Sequence, residues 1–146
     1  MEQMNRSGKT TLWTAVGCIT RGRSHVKDNI VCQDRTCILN ENGVYAFALA
    51  DGAGSAALSH YGAETVTKAV CRLLCQNFND FFQEPSGKTV KEKIVSHLVG
   101  ELEKTAAYHG CYMKDLASTL LAVAVCKEQY LFLHIGDGVI GYTKNG

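Results

Sequence analysis

The stretch Val44 to Ala50 is an uninterrupted apolar run that stops abruptly at Asp51-Gly52-Ala53-Gly54-Ser55. An apolar run of that length predicts a strand buried on both faces rather than one with a solvated side. The polar, glycine-rich break that follows then marks the end of a strand, a place where chemistry is often sited.

The rest of the chain is organised around that strand. Residues 12–20 are rich in β-branched and apolar side chains and predict a strand, ended by Arg21-Gly22-Arg23-Ser24 and a loop carrying His25, Lys27, Asp28 and Asn29. Residues 36–39 resume β character after Gln33-Asp34, and Asn42-Gly43 predicts a hairpin turn into the apolar strand. Ala63, Val66, Val70, Leu73, Leu74 and Phe78 recur at helical spacing, which predicts an amphipathic helix over residues 59–78. After Pro85-Ser86-Gly87, Thr89 and Glu92 have the spacing of a capping box, and a stripe from Ile94 to Ala106 predicts a second helix antiparallel to the first. Strands are expected at residues 116–126, 130–135 and 139–143. Strands, two helices, then strands predict an α+β fold with an antiparallel sheet.

Lys144-Asn145-Gly146 is a further hairpin signal with no strand after it. The expectation is a flexible segment at residues 1–11 and, over residues 12–146, the N-terminal portion of a longer domain, incomplete at its C-terminus. An exposed edge strand then predicts self-association.

Composition removes several classes of function. At 46% hydrophobic and 20% charged residues, with one proline in 146, the chain can bury a core. A formal net charge of +1 without blocks of like charge gives no footprint for nucleic acid or an anionic membrane. No apolar run approaches the ~20 residues that span a bilayer, and no secretory signal opens the chain, so a cytoplasmic location is expected. The seven cysteines contain no C-x-x-C pair. Cys71 and Cys75 share a helix face, but two thiolates without further ligands at finger spacing predict packing rather than zinc.

Three aspartates lie in or beside polar breaks between apolar strands: Asp34, Asp51 and Asp137, the latter two followed by Gly52 and Gly138. Carboxylates clustered at strand ends suit hard cations such as Mg²⁺ or Mn²⁺, although Asp-Gly taken singly is a common turn dipeptide. Gly52, Gly54, Gly136 and Gly138 would let backbone, water or phosphate approach closely. Gly52 to Ala57 also satisfies G-x-G-x-x-A, but Asp51 would stand beside the pyrophosphate and the following helix leads to another helix, not to a parallel strand. Gly8-Lys9-Thr10 lacks the earlier glycine of a P-loop. Ser55, Ser59, His60 and Ser118 form no nucleophile elbow or serine–histidine pair, and His60 and His134 read as ordinary helix and strand residues.

Gln33-Asp34, Ala48-Leu49-Ala50-Asp51-Gly52-Ala53-Gly54-Ser55, Ala117-Ser118-Thr119-Leu120 and His134-Ile135-Gly136-Asp137-Gly138, in that order and spacing, resemble the metal-dependent protein phosphatases of the protein phosphatase 2C type. Ser24 to Lys27 with Gln33-Asp34 looks most like a bacterial branch. The resemblance implies an antiparallel β-sandwich flanked by paired antiparallel helices. At one end it implies a centre of two Mg²⁺ or Mn²⁺ ions, with a third, weaker site in some members. There a water bridging two metals attacks a phosphomonoester of a phosphoserine or phosphothreonine protein, and no serine or cysteine nucleophile is needed. Asp51 matches the carboxylate that bridges both metals and Gly52 the carbonyl that binds one. Asp34 matches a carboxylate holding metal-bound water, and Asp137 a loop aspartate linked to the third site.

Three departures stand beside that match. Asn29 occupies the position of the family's phosphate-gripping arginine, which shifts the expected phosphate contact to Lys27 or His25. Gln33 stands where many members carry glutamate, which predicts weaker metal binding. The family's further metal aspartates fall in a C-terminal half that these residues do not include, so the chain alone is expected to bind metal weakly. The alternative reading is a phosphatase-like module that binds or regulates without turnover.

Overall fold

A computed structural model describes residues 13–143. The segment at residues 1–11 and the turn at residues 144–146 lie outside the described residues. Four strands form one antiparallel sheet in the order β1-β2-β3-β4: Arg35–Glu41 (β1), Val44–Ala50 (β2), Leu120–Cys126 (β3) and Gln129–Ile135 (β4). The hairpin between β1 and β2 is the predicted one. Asn42 (φ 54°) and Gly43 (φ 75°) both take left-handed backbone, the conformation that a tight two-residue turn between twisted strands demands.

One face of the sheet is paved with small residues. Ala46, Ala48 and Ala50 on β2 and Ala122 and Ala124 on β3 are all buried, which lets a helix approach closely. That helix, Ser59–Gln83 (α2), lays Ala63, Val66, Val70, Leu74 and Phe78 into one core with them. It runs past the expected end because Phe81 is also buried. At Asn77 (φ −122°, ψ 19°) the helix kinks, and the Asn77 side-chain amide donates to the Leu73 carbonyl at 3.0 Å.

The second helix, Gly87–His109 (α3), is antiparallel to α2, as expected. Tyr61 stacks on His109, Thr65 hydrogen-bonds Thr105 at 2.9 Å, and Lys93 faces Glu84 at 3.8 Å. Its cap is not the predicted Thr89–Glu92 box. Ser86 caps it by accepting from the Thr89 N–H, and Glu92 faces Lys88 one turn away. Gly110, at φ 63°, closes the helix with its N–H on the Ala107 carbonyl, and the Cys111 N–H reaches the Ala106 carbonyl. A 3₁₀ turn, Met113–Leu116, leads into β3, and Gly62 of α2 rests directly on it. A Cβ at Gly62 would fall 1.8 Å from the Leu116 carbonyl oxygen.

Three expectations are corrected. Residues 13–20 and 139–143 carry no ladder among the described residues, although both have the composition of strands. A short helix, Arg23–Lys27 (α1), replaces the loop expected around His25. β2 alternates between buried and half-buried or exposed positions and is not buried on both faces: Leu49 remains 43% exposed. Among the described residues, the second face of the sheet is approached by the segments 13–18 and 139–143, across a cavity of about 550 Å³. The described residues thus build one sheet with its helix pair, where a sandwich requires two.

Candidate metal and phosphate site

The strand ends line up in one row across the sheet. The register that pairs Arg35 with Ala50 places Asp34 opposite Asp51, and the register that pairs Leu49 with Leu121 places Asp51 opposite Thr119. Pairing of Leu120 with Ile135 places Thr119 opposite Gly136. Beyond the named strands the ladder persists as a bridge between Gly52 and Ser118, and the Ala53 N–H donates to the Ala117 carbonyl at 2.9 Å. Asp51 is therefore held by sheet pairing, not by a free loop.

Asp34, Asp51 and Asp137 line one cavity of about 220 Å³, together with Leu49, Thr119, Leu121 and Gly138. The closeness of the carboxylates has an electrostatic signature. Partial burial and then the neighbouring Asp34 carboxylate hold the Asp51 carboxyl above its usual range, Asp137 adds to this, and His25 opposes it. Like charges gathered in this way are the arrangement that a divalent cation neutralises, and the donors are all hard oxygens. The residues present fit Mg²⁺ or Mn²⁺ in that sense. They do not by themselves form a cage, since no group of three or more ligating side chains stands within reach of a single ion among the described residues.

The glycines act mainly by letting protein approach protein. A Cβ on Gly52 would lie 2.8 Å from Ser59 Oγ and 2.9 Å from the Gln33 carbonyl oxygen. One on Gly136 would meet Thr119 Cγ2 at 2.7 Å, and one on Gly138 would meet Leu121 Cδ1 at 2.6 Å. These last two contacts seat the Gly136-Asp137-Gly138 loop on β3 and bring Asp137 to the cavity. At Gly54, by contrast, a Cβ would meet only Gln33 Oε1, at an ordinary 3.9 Å.

Gln33 does not face the cavity as an absent glutamate would. It is buried, and its amide donates to Ser59 Oγ at 2.8 Å. Ser59 is fully buried, which removes it from any nucleophilic role. Arg35 points backward, with Nη1 donating to the Cys32 and Asp34 carbonyls at 2.7 and 2.8 Å and Nε 3.9 Å from Glu64. It braces the backbone on either side of Gln33 and does not line the cavity. Of the two expected phosphate contacts, His25 is half-buried within electrostatic reach of Asp51, whereas Lys27 lies exposed at the end of α1 and is not among the groups acting on Asp51. Sequence reasoning assigned no role to Gly62, the Arg35 guanidinium or the Thr119 hydroxyl, because each acts through a partner remote in the chain.

A family model described as Protein phosphatase 2C matches residues 21–146, the span that contains every element named above. The chain belongs to the protein phosphatase 2C family. Comparison with curated proteins and with solved structures returns no significant match. Membership makes this a phosphatase-type domain, and the protein phosphatase 2C match takes in all four of the motifs whose strand ends form the acidic row. Among the described residues, no helix is long and apolar enough to cross a membrane.

Proposed function

We propose that the chain is the catalytic portion of a metal-dependent phosphatase that hydrolyses phosphoserine or phosphothreonine in protein substrates. The observation that carries this reading is the convergence of Asp34, Asp51 and Asp137 on one cavity at the end of the sheet. When bound there, Mg²⁺ or Mn²⁺ ions would activate water as the nucleophile and neutralise charge developing on the phosphate. Asp51 and the Gly52 carbonyl would hold the ions, Asp34 would orient water beside them, and Asp137 would serve a weaker site. Of the two proposed phosphate contacts, His25 is favoured because its charge is felt at Asp51 whereas that of Lys27 is not.

Mn²⁺-dependent hydrolysis of p-nitrophenyl phosphate and of a phosphothreonine peptide, compared between this chain and Asp51→Asn, tests the reading. Activity lost in the variant supports it. Equal rates in the two proteins, or peptide hydrolysis that survives chelation, would overturn it. Substitution of His25 and of Lys27 by alanine, with KM measured for each, separates the two phosphate contacts.

A second reading, a phosphatase-like module that binds a phosphoprotein without turnover, is favoured by one observation: the described residues supply no group of three ligands around a single point. Phosphopeptide binding without hydrolysis at saturating Mn²⁺ would select it. Self-association through an exposed edge strand is part of the same proposal, supported by β1 and β4 lying at the edges of the sheet among the described residues. Gel filtration giving monomer alone over a wide concentration range would remove that part.

A further inference from the structure

Thr119 stands between Asp51 and the loop that carries Asp137. In an antiparallel ladder, residues that face each other at a hydrogen-bonded position exchange two backbone bonds. At the pair of Asp51 and Thr119 one of these is present, with the Thr119 N–H donating to the Asp51 carbonyl at 2.8 Å. The return bond is not made to the Thr119 carbonyl. The Asp51 N–H donates instead to the Thr119 side-chain Oγ1, at 3.0 Å. Two residues further on, the Ala53 N–H again reaches a backbone carbonyl, that of Ala117. A side-chain hydroxyl has replaced the backbone acceptor at the one residue of this ladder that bears a carboxylate. The same side chain turns Cγ2 toward Gly136, where there is no room for a Cβ.

The geometry points to Thr119 as a positioning residue: its hydroxyl fixes the backbone of Asp51 and so aims the Asp51 carboxylate into the cavity. This inference rests on the proposed metal-dependent reading and deepens it. Two substitutions separate the parts of the side chain. Thr119→Ser keeps Oγ1 and loses the methyl group, whereas Thr119→Val keeps the volume and leaves the Asp51 N–H without its acceptor.

Two readouts on the full chain test it. The first needs no metal: amide hydrogen exchange of Asp51 in chelator-treated protein, resolved by NMR. Exchange about tenfold faster in Thr119→Val and unchanged in Thr119→Ser is expected for loss of one hydrogen bond. The second is Mn²⁺ affinity by calorimetry, expected to fall about tenfold or more in Thr119→Val and to stay within about threefold of the parent in Thr119→Ser. Equal loss in both variants, or loss in neither, overturns the role of the hydroxyl. If the parent chain and Asp51→Asn bind Mn²⁺ equally, the metal reading falls instead. The exchange measurement then still decides the tether, and unchanged Asp51 exchange in Thr119→Val overturns it.

Discussion

The Gln33 side-chain amide donates to Ser59 Oγ at 2.8 Å, and both groups are buried. This bond ties the turn before β1 to the first residue of α2, and Gly52 lies against both partners. Among the described residues, no buried side-chain polar atom lacks a partner. Removing one member of the pair therefore creates an orphan. Ser59→Ala is expected to destabilise the fold by about 1–3 kcal/mol, read as a lowered midpoint of urea unfolding. It should also weaken Mn²⁺ binding, because Asp34 follows Gln33 directly. A variant that unfolds like the parent would show that the bond contributes nothing.

Gly62 and Gly100 make a matched test of what helical glycines do. Gly62→Ala drives a methyl group into the Leu116 carbonyl and is expected to cost about 3 kcal/mol or more. Gly100 has open space around it in α3, and Gly100→Ala should stabilise by about 0.5–1 kcal/mol through helix propensity alone. Thermal melts of the two variants should move in opposite directions.

Asp51 contributes a stability that runs against its chemistry. Its carboxyl is raised above the ordinary value of 3.8, first by burial and then by Asp34. The folded chain therefore holds that proton more tightly than the unfolded one. Its contribution is favourable at low pH and is lost as pH rises through the folded value. In chelator-treated protein Asp51→Asn should raise the melting temperature at pH 7 by about 1–3 °C, a modest shift because solvent screens the site. The gain should shrink as pH falls toward 4, and it should disappear when Mn²⁺ replaces the repulsion with a shared cation. A variant that melts lower at every pH would contradict this.

The cysteines should divide by burial. Cys18 is exposed, whereas Cys71 and Cys75 are buried against β1 and β2, and desolvation pushes both thiols up. An aromatic disulfide reagent at pH 8 should label Cys18 within minutes and reach Cys71 and Cys75 only on unfolding. Rapid labelling of Cys71 in the native protein would mean that α2 opens from the sheet.

Local signals were legible in the sequence and remote ones were not. Asn42-Gly43 announces its turn because the backbone itself must adopt positive φ there, and the α2 stripe announces a helix because periodicity is a local property. The strand composition of residues 13–20 and 139–143 is equally local, but a ladder needs a partner, and composition does not name one. α1 is too short to show a period. The Asp34, Asp51 and Asp137 motifs could be read as a set. What holds them, the Thr119 hydroxyl on Asp51 and Gly136 against Thr119, depends on register across strands far apart in the chain. Gln33 illustrates the same limit: its identity suggested a missing charge in the cavity, while its side chain turns toward Ser59.

The row of strand ends has a temporal consequence. Asp34 and Asp51 leave the ribosome early, on adjacent strands joined by a tight turn, but Thr119 and the loop at Gly136 follow only after both long helices have been made. Until then the Asp51 N–H lacks its Thr119 acceptor and the third carboxylate, Asp137, has not been made. The site is therefore complete only once β3 pairs with β2 and the Gly136-Asp137-Gly138 loop seats on it.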